Sequence, residues 1–344
     1  MNDININDIS MYGEHGVEMI NDNIISRHTA FSSEKIIKSH AGGSNPNILH
    51  NWDFRHRESI VNQRRQTEYR NFPDRLVSVQ IMDRWYTIAG IGMSILVSIN
   101  NGFVRMQREN TVGHGYISQI IEFPNAYAGE TYTFSMIYRT SKPTGVSDIG
   151  NMGHTRIVCA NADRRTFAFT SHKPFPISED WSIFTQTFTL PNTELGTFDV
   201  GIVGPVNGTV DDYIDIQAVK LELGSISTLA NDPPMDFGKE LAICQRYQFR
   251  HHGHAEDIPG VITNNNNIIF TLPLPVTMRR TRPTIAVANM AVFNADNRTE
   301  QSGFTFYASV GWVSSALQIT AIRNNHGLTN AFLRIRDLIT DANL

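Results

Sequence analysis

Between residues 213 and 247 the chain changes its period, and nothing else in the sequence constrains the fold as strongly. Tyr213–Leu223 (YIDIQAVKLEL) alternates apolar and polar residues with a period near two, the pattern of a half-buried strand closing a β-sandwich. Gly224, Ser225, Ser227 and the run Asn231-Asp232-Pro233-Pro234 then break the pattern. Proline removes a backbone donor and pushes the residue before it into extended or turn geometry, so this stretch reads as a linker. Asp236 is placed to accept the unpaired amide hydrogens at the start of a short helix over 237–246. One sandwich ends here and a second module begins.

Short alternating runs lie on both sides of this break. Before it, strands are expected over 76–81, 95–99, 103–105, 116–123, 131–139, 156–160, 184–190 and 199–203, closed by Tyr213–Leu223. After it, they are expected over 267–272, 284–292, Thr305–Val310, Ala316–Ile322 and 333–339. Many short strands separated by regular turn signals favour sandwiches or jelly rolls over an α/β fold. The expected class is therefore all-β: two β-sandwich, jelly-roll-like domains preceded by an extended N-terminal attachment or stalk segment. The divisions fall at 1–44, 45–224, a linker at 225–236, and a C-terminal sandwich at 237–344 opened by the short helix.

The first segment has no amphipathic period long enough for its own core. Its apolar patches (Ile4 and Ile6, Ile24-Ile25, Ile36-Ile37) are frequent enough to favour burial against other copies of the chain, with a flexible leader as the alternative, and 41–46 (AGGSNP) reads as a flexible joint. The opening residues lack the basic region and apolar core of a secretory signal, and no apolar run approaches the length of a membrane span. The chain is expected to be made in a cytoplasm, without membrane insertion. Charged residues make up 18%, below the roughly 25% usual for soluble domains, which suits turn-dense β structure. A net charge of -4 argues against a nucleic-acid or anionic-membrane surface. Cys159 and Cys244 are too few and too far apart for a disulfide framework or a cysteine zinc site.

No catalytic signature is present: no nucleophile elbow, zinc-protease helix, phosphate-cradling loop or dinucleotide fingerprint. The adjacent acids Glu179-Asp180 and Asp211-Asp212 read as solvated loop residues rather than a facing glycosidase pair. Arg250-His251-His252-Gly253-His254 offers imidazoles to a transition metal, but surface or interface histidines are the plainer reading. Sugars are held by aromatic faces flanked by planar hydrogen-bonding groups. Trp52, Trp85 and Trp181 read as strand tryptophans and hence as core. The glycan-binding candidates are therefore loop residues: Tyr69 with Arg70, His114 with Tyr116, and in the last domain Trp312 and His326.

Several of these runs resemble known sequences. Lys220-Leu221-Glu222 with Gly224, followed by Glu240-Leu241-Ala242-Ile243-Cys244-Gln245-Arg246-Tyr247, resembles a junction in bacteriophage tail-fibre and related virion proteins. There a "KLE-G" strand closes a carbohydrate-binding-like domain and an "E-L-x-x-C-Q-R-Y" helix opens a C-terminal one. The landmarks Asn51-Trp52-Asp53-Phe54, Asp83-Arg84-Trp85-Tyr86, 129–135 and Trp181 before 184–191 follow the order of the galactose-binding-like jelly roll of carbohydrate-binding modules. The run 272–284 resembles a proline-rich motif of phage C-terminal domains, and 24–36 resembles the repeats of fibre shafts.

The resemblance spans roughly residues 45–344 and implies a virion protein. It implies a homotrimeric tail fibre or receptor-binding protein, tied to other virion proteins through 1–44 and adhering to host surface glycans without catalysis. The alternative is an architectural head fibre, capsid decoration or collar protein; a polysaccharide-degrading spike is a third class. Modules of this kind often carry a structural calcium near the first and last strands, where Asp53 and Asp215 stand here. No other cofactor is implied.

Overall fold

The computed structural model describes residues 44–71, 77–89, 95–109, 115–141, 151–206, 209–251, 256–279, 283–310 and 316–341. The expectations for the stalk up to residue 43 and for His114, Trp312, His252 and His254 lie outside those residues.

The chain is all-β, with a single α-helix among the described residues. Its first part holds β1 (Glu68–Asn71), β2 (Val77–Met82), β3 (Trp85–Ala89), β4 (Ile95–Asn100), β5 (Phe103–Arg108), β6 (Gly115–Ile121) and β7 (Thr131–Thr140). These are followed by β8 (Asn151–Asn161), β9 (Phe167–Ser171), β10 (Pro174–Pro176), β11 (Ser182–Thr189), β12 (Leu195–Val203) and β13 (Tyr213–Leu223). One sheet runs β1-β4-β5-β13-β7-β11, the other β10-β8-β12-β6-β3-β2 with β9 on β8. The inward faces of the two sheets share one core, including Trp85, Phe134, Tyr138, Phe175 and Phe198.

Alternation puts them there. In β11 Phe184, Gln186 and Phe188 are buried while Ile183, Thr185 and Thr187 face out. β13 begins and ends where the sequence period does. β9 and β10 carry no such signal, because residues of β9 are half-exposed or exposed and β10 is an edge strand with a proline at each end.

The second part opens with α1 (Phe237–Gln245), and the Asp236 carboxylate accepts the Lys239 amide at 3.1 Å, the expected cap. Then come β14 (Gln248–His251), β15 (Glu256–Asn264), β16 (Asn267–Pro273), β17 (Thr284–Asn294), β18 (Glu300–Gln301), β19 (Thr305–Val310), β20 (Ala316–Ile322) and β21 (Ala331–Asp341). Their order is β18-β17-β21-β15-β16-β20-β19, with β14 on β21. β15 pairs with β21 over its first residues and with β16 from Gly260 onward. The two halves of this bent sheet share a second core of Ile268, Phe270, Ile319, Leu333 and Ile335.

The stretch between the sandwiches does not swing free. Leu229 and Met235 belong to the first core, and Cys244 and Tyr247 are buried. Glu240 of α1 accepts the Asn51 amide at 2.7 Å, and the Arg84 guanidinium lies 3.6 Å from the Tyr247 ring centre. Gln63 donates to the Gln248 carbonyl at 2.6 Å and its own carbonyl accepts from Arg250 at 2.6 Å. The residues of the helix motif thus form the floor of a junction seated on Asn51, Gln63 and the turn between β2 and β3.

Candidate functional site: an arginine–aromatic platform

On β5, β13 and β7 the residues opposite the core point outward in register. Asp215 of β13 stands across from Arg105 on one side and Arg139 on the other. Tyr138 pairs with Ser182, which brings Arg139 beside Trp181 at the head of β11. Phe103 and Tyr213, two positions before Arg105 and Asp215 on their strands, share that face.

The result is a continuous row, with the Phe103 and Trp181 rings tilted 55° to each other. Arg105 grips Asp215 through Nε at 2.7 Å and a terminal nitrogen at 2.9 Å, and Arg139 adds its Nε at 2.9 Å. The Arg105 guanidinium lies 3.8 Å from the Tyr213 ring centre and 5.4 Å from that of Phe103. The Arg139 guanidinium lies 4.7 Å from Trp181, whose ring is 6.2 Å from Phe103. Trp181 is 37% exposed and its neighbour Ile183 54% exposed. Asp215, although on the outer face, is fully buried beneath the two guanidinium groups. Its hydrogen bond raises the Arg105 pKa further above the ordinary value, so the charge is permanent.

This geometry offers groups that pyranose recognition uses: an exposed indole edged by two half-buried rings for sugar C–H groups, and oriented N–H donors for hydroxyls. Its one carboxylate has both oxygens occupied by guanidinium, so it offers neither an acid nor a base to a bound sugar. The sequence reading placed Trp181 in the core, and the structure corrects this. The signal was there: Phe184 and Phe188 face inward, so residue 181, of opposite parity, faces outward with Ile183.

The other candidates are scattered. Tyr69 is buried, with 3% of its surface accessible and its phenol pKa raised by burial, so its ring presents no open face. Arg70, on the same edge strand, is paired with Glu109 at 3.3 Å. Tyr116 lies on the other sheet, half-buried beneath the Arg156 guanidinium at 4.7 Å.

His326, in the second lobe, is 93% shielded in the sense that only 7% is accessible. Its Nε2 faces the Asn264 carbonyl at 3.0 Å and its Nδ1 accepts the Leu328 amide at 3.1 Å, which fixes the neutral Nε2–H tautomer. It supports, rather than lines, an open depression of about 640 Å³ walled by Asn264, Asn265, Asn266, Asn267, Ile322, Asn324 and Asn325.

The two calcium candidates are engaged otherwise. Asp53 is fully buried and holds Arg55 through both oxygens at 2.8 Å, as Asp215 holds its two arginines. Guanidinium charge already satisfies both carboxylates, and a calcium ion would have to displace it. Among the described residues no group of three or more His, Cys, Asp or Glu side chains is placed to hold a metal.

No family model matches the chain, and no curated protein matches it. Among solved structures it is similar to a family 4 carbohydrate-binding module: 16% identity over 48% of this chain and 94% of that one, TM-score 0.30. It is similar to the CBM22-1 xylan-binding domain of Xyn10C from Paenibacillus barcinonensis, at 6% identity, covering 54% of this chain and all of that one (100%), TM-score 0.30. The enzymatically active domain of tailspike protein 4 of bacteriophage CBA120 is 8% identical over 52% of this chain, which spans 21% of that protein, with TM-score 0.31. Likeness at this level says nothing about what the chain binds.

Proposed function

We propose that this chain is a non-catalytic bacteriophage virion protein, a homotrimeric tail fibre or receptor-binding protein, that holds host surface glycan on the Trp181–Arg139–Asp215–Arg105 row. The exposed row carries the reading: Trp181 and Phe103 supply the stacking surface and the two arginines the directional donors. The junction residues Lys220 to Glu222 and Glu240 to Tyr247, which resemble those of phage fibre proteins, support the virion assignment. One weak site per chain, repeated in a trimer, gives useful adhesion through effective concentration.

The second lobe supports self-association. Strand register aligns Val261, Ile269, Thr320 and Tyr307 in one rung across β15, β16, β20 and β19. Val261 is 67% and Tyr307 58% exposed, an apolar row suited to another copy of the chain.

The test is binding of the purified protein to host cells and to a glycan array. Trp181→Ala removes one stacking face at about 1 kcal/mol, a loss of about fivefold in single-site affinity, with unchanged thermal unfolding. A protein that binds no glycan but still decorates particles supports the architectural reading instead, and release of reducing sugar ends sinks the non-catalytic one.

A further inference from the structure

Lys220 lies on the outer face of β13, beyond the platform, where 44–50 and 224–236 cover the sheet. Its side chain is fully buried at 0% accessible, as is that of Glu222, and Asp232 keeps 5%. Burying an ammonium with two carboxyl groups strips each of its water, a cost that only their mutual contacts offset. Burial is also the main reason the Asp232 pKa is raised, which favours its neutral, electrophilic acid.

The contacts around Lys220 form a relay. Its Nζ lies 2.5 Å from Oδ1 of Asp232. It also donates at 2.8 Å to the Thr228 hydroxyl, which in turn donates at 2.6 Å to Oε2 of Glu222. The other Glu222 oxygen is fixed by the Thr228 amide at 2.7 Å. On the opposite side Nζ donates at 2.6 Å to the Ser44 hydroxyl, and that hydroxyl donates to Asp232 Oδ1. Nucleophile, electrophile and proton acceptor are thus held together out of water, the arrangement that makes an intramolecular condensation fast.

We propose that Lys220 and Asp232 become joined by an amide bond, with Glu222 as the proton acceptor and Thr228 as its relay. The Lys220 ammonium passes one proton through Thr228 to Glu222, and the free amine attacks Cγ of Asp232. The C–N bond forms, the C–O bond of the neutral acid breaks, the departing hydroxyl takes the proton returned by Glu222 and leaves as water, and the former amine passes one of its protons to Glu222. The balance is one ammonium, the Asp232 carboxylic acid and the Glu222 carboxylate giving one amide, one water and the Glu222 acid, with no oxidant or reductant. The product is neutral, so burial favours it over the ion pair. The bond staples the 224–232 turn onto β13, at the junction between the two lobes. It stands independently of the glycan reading.

The intact mass of the denatured full chain decides the matter. The expected mass is one water below that of the sequence. Trypsin fails to cut after Lys220, and the deficit maps to the fragment spanning 220–232. A cyclic imide at Asp232 does not give the same result, because Pro233 has no amide hydrogen to lose. A full-mass chain cut normally after Lys220 leaves only an ion pair and overturns the proposal. Glu222→Gln is expected to restore the full mass while the protein still unfolds cooperatively; a bonded Glu222→Gln chain overturns the role given to Glu222.

Discussion

Asp83 keeps its carboxyl in the junction with almost no water, and burial pushes its pKa up to about 6 despite two hydrogen bonds from Gln63. The folded value lies above the unfolded one, so this group favours folding at pH below about 4 and that contribution is lost as pH rises through about 6. The difference is on the order of 2–3 kcal/mol. Denaturant midpoints measured from pH 4 to 7 should show this slope superposed on the other acids. Asp83→Asn should flatten it, and an unaltered slope counts against the assignment. Asp215 is the common anion of two arginines. Asp215→Ala leaves both partly solvated guanidinium groups unpaired against each other. The expected loss is about 1–3 kcal/mol in urea unfolding, with glycan affinity falling as the row disorders.

At the scale of elements, α1 is short and depends on its cap. Asp236→Ala should cost about 1 kcal/mol in equilibrium unfolding, since it frees a first-turn amide that nothing else satisfies. The helix is held on the first sandwich through Glu240, so the loss should appear there too. β8 depends on a missing side chain. A Cβ at Gly153 would meet the Val203 carbonyl at 2.2 Å and the Phe175 ring at 2.6 Å. Gly153→Ala should therefore destabilise the first sandwich by about 1–3 kcal/mol, read from the urea midpoint, because β12 and β10 leave it no room. Periodicity foretold the long strands because their residues alternate between the shared core and the opposite face, even where that face is covered as well. It could not reveal β9 or β10, whose pairing is decided by the strand they lie against.

For the whole molecule, the sequence breaks at Asn231-Asp232-Pro233-Pro234 and suggests a hinge, but the break is packed. The Arg84 guanidinium on the Tyr247 ring and the hydrogen bonds that Gln63 makes with Gln248 and with Arg250 couple the two lobes. Calorimetry of the intact chain should give one dominant transition. Tyr247→Ala should split it in two, since removing the ring strips both cover and cation–π contact from a buried cation. Two transitions already present in the unaltered protein would show that the junction carries no coupling.

The one-dimensional pattern determined the all-β class, the closing strand at Tyr213–Leu223 and the Asp236 cap. These follow from alternation and local backbone chemistry, which act over a few residues. It did not determine which outward side chains would meet. Phe103, Arg139, Trp181 and Asp215 come from four strands and become neighbours only through β-sheet register. Nor did it foresee that Lys220 would be buried, because the cover over it comes from residues 44 and 228–232, brought back across the sheet. Burial and contact between distant residues are properties of the assembled sheets, and only the tertiary structure decided them.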